Sequence, residues 1–387
     1  MEKSNQWTFK MYQYTSELPS EWDALGQHNI FLSKKYLKVL EQSAPDNMKC
    51  HFFGFFQNNL LVGIALAQYV DLNQLKSFGD RDQCLKKSIR NFIFKHFSSH
   101  VLFMGNNMLT GQHAFYFSAT IPLSEGLYWL RQASEMLIKN YLKKGVAIHL
   151  TSFKDFDKET IEQFDTTLYK DYFVFSTQPN MVFEIPVQWQ SIEDYTASLS
   201  KKYRDQYKRA RKKATGITKL QLDFEAIKAH EPAIHNLYEH VAQNAPFNTF
   251  FLASNHFSNL KQNLGDCFLF YGYFLDGHLI GFNTLIQNNQ HIDTYFLGYN
   301  QHIQKDKMLY LNMLYDMLGY SIKHQFQKVI FSRTALEIKS AVGAKPVTVF
   351  GLIKHENKWI NYLMPRLFDF LEPKTIWNER NPFKESL

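Results

Sequence analysis

Two stretches of this 387-residue chain repeat one another, FFGFFQNNLLVGI at residues 52–64 and FYGYFLDGHLIGF at residues 270–282. Both read aromatic–Gly–aromatic–Phe, then a short polar turn, then an apolar pair before a second glycine. The two copies stand 218 positions apart. Each has the pattern of a β-hairpin, with β-rich runs on either side of a turn. Each is preceded by two helical segments and followed by strands, a long helix and a further strand. A tandem duplication follows. It places two domains at 1–178 and 179–387, as expected of a length beyond what one core serves. The fold class is α+β, each domain a mostly antiparallel central sheet flanked by helices.

In chain order, residues 6–12 read as a strand, 20–26 and 33–43 as helices with Ser33 as a cap, and 51–70 as the first hairpin, turning at Gln57, Asn58 and Asn59. A strand pair at 101–105 and 114–117 encloses the loop MGNNMLTGQH, in which Asn106, Asn107 and Gln112 read as turn formers. Residues 123–144 form an amphipathic helix closed by Gly145, and strands follow near 146–153, Phe175 and 181–185. In the second half, 291–300 is a strand, 301–307 a polar loop, 308–324 a helix, 328–333 a strand, 334–343 a short helix, 346–356 a single strand and 358–371 a final helix. A polar tail, WNERNPFKESL, ends the chain.

Residues 191–214 read as one long helix. Ser191 caps it, Asp194 completes a capping box, and Gly216 stops it. Ile192, Tyr195, Leu199, Tyr203, Tyr207, Ala210 and Ala214 form one apolar stripe. Its later turns carry eight cations, Lys201, Lys202, Arg204, Lys208, Arg209, Arg211, Lys212 and Lys213, against one acid, Asp205. Residues 201–213 are therefore +7, the net charge of the whole chain, so the remainder sums to zero. A charge so concentrated marks a local site for an anionic partner rather than a generally basic coat. Solvation of an exposed helical face is the plainer alternative.

Several classes are excluded. Three cysteines, Cys50, Cys84 and Cys267, have neither disulfide-framework nor zinc-site spacing and suit a reducing compartment. Among 15 histidines one pair, His96 and His100, stands at the i,i+4 spacing of helical metal ligands, and it is not part of a His-Glu-x-x-His motif. No nucleophile elbow, phosphate-binding P-loop or dinucleotide fingerprint occurs. The N-terminus has no signal-peptide core, and no apolar run reaches membrane-span length. A cytoplasmic protein, at most touching the inner membrane face, is expected.

The order strand, two helices, three antiparallel strands, helix, strand, helix, strand is similar to that of the GNAT acyltransferase superfamily. Residues 179–214, PNMVFEIPVQWQSIEDYTASLSKKYRDQYKRARKKA, resemble the segment opening the second domain of its Fem-like branch, that of peptidoglycan biosynthesis and recognition proteins. The shared pattern is Leu199-Ser200, the pair Lys201-Lys202 and the basic train from Arg204. The block LYLNMLYDMLGYSI…VIFSRTALEIKSAVGAKP, residues 309–346, resembles the same branch's donor-side helix and strand.

The resemblance implies two GNAT-like domains and transfer of an acyl or aminoacyl group to an amine, in cell-envelope or peptidoglycan metabolism. The donor would be acyl-CoA as co-substrate or a charged tRNA, with no permanently bound cofactor and no metal. Partners would be a small-molecule or cell-wall-precursor amine, with tRNA or anionic lipid on the basic helix. The usual glycine-rich pyrophosphate loop is missing. After Gly298 the chain runs from Tyr299 to Lys307 without glycine, which argues against an ordinary coenzyme A cradle. Lys305 and Lys307, followed by Met308 and Leu309 at the next helix N-terminus, remain as donor-binding candidates. Arg333 would clamp a carboxylate or phosphate from the end of its strand, beside Thr334. The catalytic candidates are Glu337 as a general base, Tyr310 as a general acid and Asp293, which alternates with Tyr295 on a strand face. Lys339 follows on the short helix. For Arg333 and Glu337 the competing reading is a mutual i,i+4 ion pair. For Tyr310 it is core packing, and for Asp293 and Tyr295 an outward sheet face. The N-terminal domain, lacking counterparts of the basic helix and of this block, is expected to be a scaffold. The alternatives to an enzyme are a non-catalytic binding module and a peripheral protein on anionic membranes.

Overall fold

The computed structural model describes residues 6–74, 98–176, 178–245, 248–371 and 377–384. Cys84 lies outside them, and Cys50 and Cys267 carry free thiols. In chain order the strands are β1 (Trp7–Tyr12), β2 (Met48–Gln57), β3 (Leu60–Asp71), β4 (His100–Met104), β5 (Phe115–Phe117), β6 (Leu150–Phe156) and β7 (Phe173–Ser176). There follow β8 (Asn180–Glu184), β9 (Ile217–Gln221), β10 (Phe268–Leu275), β11 (His278–Asn288), β12 (His291–Tyr299), β13 (Lys328–Ser332), β14 (Lys345–Val347) and β15 (Phe350–His355). They form two sheets, ordered β1-β2-β3-β4-β6-β15-β7 with β5 on β3, and β9-β10-β11-β12-β13-β8-β14.

The repeat seen in the sequence is a repeat in register. Gly54 pairs with Ile64 in the first hairpin and Gly272 with Phe282 in the second. A β-bulge falls between Phe55 and Phe56 in one and between Tyr273 and Phe274 in the other, again 218 positions on. Asn58 and Asn59 in one turn, and Asp276 and Gly277 in the other, all have positive φ. That is the two-residue turn whose twist matches a hairpin, and Asn, Asp and Gly tolerate it.

Both sheets keep the same order through β4-β6 and β12-β13, the parallel pair of each. The next position is filled by exchange. β15, from the end of the chain, completes the first sheet beside β6, whereas β8 occupies the matching place beside β13. The first unit is accordingly Met1–Thr177, Pro246–Ala253 and Thr348–Lys374, and the second is Gln178–Ala245, Ser254–Val347 and Thr375–Leu387. A single cut at 178/179 does not separate them. The expected strand at 346–356 is two strands that part at Thr348 and Val349, one for each sheet. β4 and β5 do not pair with each other either, since both lie along β3.

The first core gathers Phe53, Phe55, Leu102, Leu130 and Phe153 under the helix Leu123–Lys143. The second gathers Tyr195, Leu199, Leu285, Ile292, Met313 and Leu318, largely under the helix Leu309–Lys323. Fully burying one such side chain stabilises by about 2 kcal/mol.

The long basic helix is two helices, Ile192–Ser198 and Lys201–Lys213. Leu199 and Ser200 are extended, with ψ of 142° and 160°. The chain end pairs with the break: Ser200 N donates to the Pro382 carbonyl (2.9 Å) and Lys384 N to that of Ser198 (3.1 Å). The hydroxyls of Thr196 and Ser198 also turn back to the carbonyls of Glu193 and Tyr195, a competition that weakens a helix end. Asp194 still accepts from Ser191 N (3.0 Å), and the apolar stripe survives, with Tyr195, Leu199, Tyr203 and Ala210 buried.

Candidate active site

In the second unit β12 and β13 pair at only three positions, His291 with Lys328, Ile292 with Val329 and Asp293 with Ile330, and then part. Parallel strands that separate leave backbone groups and side chains facing an opening at their carboxyl ends, where ligands bind in such sheets. Asp293 stands at the last paired position. It is 4% exposed, and burial pushes its carboxyl from 3.8 to about 7, against a side-chain hydrogen bond from Asn288. Tyr295, two residues on and on the same strand face, meets His256 Nε2 through its hydroxyl at 3.0 Å.

Across the opening, β13 ends in a backbone under strain. Ser332, Thr334 and Ala335 have φ of 60°, 66° and 48°, none of them glycine. Lys339 holds this turn together. Its ammonium donates to the carbonyls of Phe331 (2.6 Å), Ser332 (3.2 Å) and Arg333 (2.6 Å). Burial pushes the Lys339 pKa down to about 7, while three carbonyl acceptors favour its charged form. Arg333 is partly buried within this turn, and Thr334 is exposed.

Glu337 is placed differently from a catalytic base. Its exposed carboxylate accepts from Asn378 N (3.1 Å) and pairs with Arg380 Nη2 (3.3 Å), and these bonds lower its pKa. A base already committed to two donors and acidified by them is a poor proton acceptor; Glu337 anchors the chain end instead. Ser340 Oγ accepts from Arg380 N beside it (3.0 Å).

Where a donor-binding loop was expected the chain forms a helix, Gln301–Lys307, capped by the Asn300 side chain accepting from His302 N (2.9 Å). Met308, in the left-handed conformation, links it to the helix Leu309–Lys323. The Leu309 side chain is fully buried, and Lys307 Nζ donates to the Thr215 carbonyl (3.0 Å). Of the four candidates Lys305, Lys307, Met308 and Leu309, Lys305 alone is exposed. Burial, and then Tyr299, raise the Tyr310 pKa, away from what a proton donor at neutral pH needs.

The basic helix sorts its cations. Arg204 Nη2 turns to the Leu199 carbonyl (2.7 Å), and Arg211 Nη1 to Asp316 Oδ1 (2.7 Å) and Asn312 Oδ1 (3.2 Å). Lys201, Lys202, Lys208, Arg209, Lys212 and Lys213 remain exposed. Among the described residues none of these six reaches ion-pair distance of a carboxylate. The Lys307–Thr215 bond brings the helix Gln301–Lys307 against the end of the basic helix. The two basic stretches of the sequence thus form one surface.

The Asp316 cluster was missed by sequence reasoning. Besides Arg211, the carboxylate meets Lys219 Nζ (3.8 Å) and accepts from the Tyr273 hydroxyl (2.9 Å). Lys219 lies over the Tyr271 ring (4.2 Å), and Arg211 over the Tyr207 ring (5.1 Å). The available signal was Asn312 and Asp316, four apart in an otherwise apolar helix. Among the described residues, neither side-chain polar atom of Asn283 on β11, 1% exposed, finds a hydrogen-bond partner.

The corresponding opening of the first unit, beyond Met104 and Phe153, is filled. Lys154 donates to the carbonyls of Asn106 (3.1 Å) and Leu109 (2.8 Å) and pairs with Asp155. Asn106 Nδ2 donates to the Tyr36 hydroxyl, Asn107 N to Gln68 Oε1, and Gln112 Nε2 to the Phe115 carbonyl. The three loop residues are thus hydrogen-bonded structure.

A cavity of about 650 Å³ in the second unit is walled by Phe183, Trp189 and Phe383, with Gly343 and Lys345. It lies along β8 and β14, and neither Arg333 nor Asp293 lines it. Among the described residues no group of His, Cys, Asp and Glu is placed to hold a metal ion, and no helix is long and apolar enough to cross a membrane.

The two sheets, each with a parting parallel pair, have a tandem GNAT-like fold of the Fem-like kind. FemX superposes with a TM-score of 0.54 at 12% identity, over 94% of this chain and 100% of FemX. A tandem GNAT protein from the clavulanic acid biosynthesis pathway gives 0.51 at 8% identity, over 90% of this chain and 98% of its own. A conserved protein of unknown function from Bacteroides thetaiotaomicron gives 0.51 at 10% identity, over 90% and 100%. Identities this low carry the fold and not the reaction. No protein-family model and no curated protein matches the chain.

Proposed function

We propose that the chain is an N-acyltransferase working at the opening between β12 and β13 of its second unit. The observation that carries this is Asp293, a buried carboxyl with a pKa of about 7 where those strands part. A base poised there takes the proton of an acceptor ammonium at neutral pH. The freed amine attacks the donor carbonyl, and the tetrahedral intermediate expels the thiol of a thioester or the ribose hydroxyl of an aminoacyl ester, the leaving atom taking up the proton that the amine nitrogen gives up as the amide forms. Such transfer needs positioning and a base, without a covalent enzyme intermediate. The basic surface of residues 201–213 with Lys305 suits an anionic donor or acceptor: coenzyme A, tRNA or a phosphorylated cell-wall precursor. Glu337 and Tyr310 take no part in proton transfer.

A second reading, a GNAT fold that binds without turnover, is favoured by one observation. The helix Gln301–Lys307 occupies the place of the glycine-rich phosphate loop.

Thermal unfolding with coenzyme A, acyl-CoA and aminoacyl-tRNA separates the two. A donor at a hundredfold excess over Kd adds about 2.7 kcal/mol of stability. A shift with one donor, together with release of its acyl group to an amine, supports transfer. A shift without release leaves the binding module.

A further inference from the structure

The terminal helix Lys358–Leu371 packs on the first unit through Met364 and through Asn361, which accepts from His355 N and donates to the Asp171 carbonyl. Its opposite face is unusual. Trp359, Tyr362, Leu363 and Arg366 recur at i, i+3, i+4 and i+7, and the first two are 83% and 79% exposed. Lys358 stands one turn before Tyr362. The helix starts just past His355, which pairs with Leu150 at the beginning of β6. The long helix Leu123–Lys143 leads into that same strand, so its end lies at the same end of the sheet. There Leu142 is 63% exposed, beside exposed Lys143 and Lys144. One end of the first unit thus presents Trp, Tyr and two Leu among four cations. Among the described residues none of these four is in an ion pair. Glu356, the acid nearest Lys358 in sequence, is already held by Lys354 (3.4 Å) and Thr151 (3.1 Å).

We infer that this end of the first unit docks on an anionic phospholipid bilayer. Protein interfaces bury aromatics in a core depleted of lysine, whereas here cations alternate with the aromatics and would have to be desolvated. At a bilayer the same mixture is satisfied at once. Trp and Tyr rings settle at headgroup depth, the leucines enter the acyl boundary, and Lys and Arg remain among anionic headgroups. The surface is separate from the basic helix and does not depend on the proposed reaction.

The test is co-sedimentation of the full chain, at low salt, with phosphatidylcholine vesicles with and without phosphatidylglycerol. Binding should require phosphatidylglycerol, weaken with salt and fall by at least about tenfold in Trp359→Ser/Tyr362→Ser. That variant alters exposed positions, so its unfolding temperature should not move. Lys208→Glu/Arg209→Glu on the basic helix should bind as the parent does. Quenching of tryptophan fluorescence by brominated lipid should drop in Trp359→Phe, which preserves the ring's bulk. Several results would overturn the inference: no binding, equal binding to neutral vesicles, binding retained by Trp359→Ser/Tyr362→Ser, or binding lost only in the basic-helix variant. Self-association of the parent that vanishes in Trp359→Ser/Tyr362→Ser, without lipid binding, would instead make the face a protein contact.

Discussion

Asp293 holds a proton in the folded chain that it gives up on unfolding. Its pKa is about 7 folded, against 3.8 for an ordinary aspartate. Between pH about 4 and 7 the folded state therefore binds more protons than the unfolded state, and stability falls as pH rises through that window. Asp293→Asn should flatten this fall and unfold at a higher temperature than the parent at alkaline pH, read by thermal melts across pH. If Asp293 is also the base, the same variant loses transfer by about 10²- to 10⁴-fold. Asp316 matters for its contacts with Arg211, Lys219 and the Tyr273 hydroxyl. Asp316→Ala would leave Arg211 and Lys219 facing each other and the Tyr273 hydroxyl without its acceptor. Discounting for the partial exposure of the two cations, the loss should be about 2 kcal/mol by denaturant unfolding.

Among the elements, the strap formed by residues 377–384 is what local sequence concealed. Its residues read as a polar tail, yet Arg380 is fixed by Glu337 and Phe383 wedges against Gly343. Gly343 has φ of 104°, and a Cβ there would meet the Phe383 ring at 2.5 Å. Gly343→Ala should therefore destabilise by about 2 kcal/mol or more, from backbone conformation and steric overlap together. In a Phe383→Ala background only the backbone part and any clash with Phe183 should remain, so a double-mutant cycle should show coupling. The hairpins, the helix caps at Ser33 and Ser191, and the apolar stripe were legible because each is set by neighbours within a few residues. The break at Leu199 and Ser200 was not, because its backbone partners are Pro382 and Lys384, nearly 200 positions away. Glu337 was misread as a base for the same reason. Its partners Asn378 and Arg380 lie beyond its own helix, and strand alternation likewise left Asp293 between a groove-facing and an outward position.

For the molecule as a whole, the repeat gave two units, but the exchange of β8 and β15 lies beyond periodicity. Both strands are short and apolar, and either would suit either sheet. The exchange has a consequence for fragments. A chain cut after residue 178 loses β15, which stands between β6 and β7, and should not fold as judged by circular dichroism and amide dispersion. Residues 179–387 retain every strand of the second sheet and should keep its secondary structure. The tandem arrangement also assigns unlike roles to the two parallel pairs. The first opening is filled by Lys154 and the 106–112 loop, while the second carries the buried acid.

The most direct test of the central claim is single-turnover transfer of a labelled acyl group to an amine, from acyl-CoA and from aminoacyl-tRNA. The parent and Asp293→Asn would be compared across pH about 5 to 9. Transfer from one donor, rising through a limb near pH 7 in the parent and abolished in Asp293→Asn, is the predicted result. Transfer undiminished in Asp293→Asn, or none from either donor, would contradict it.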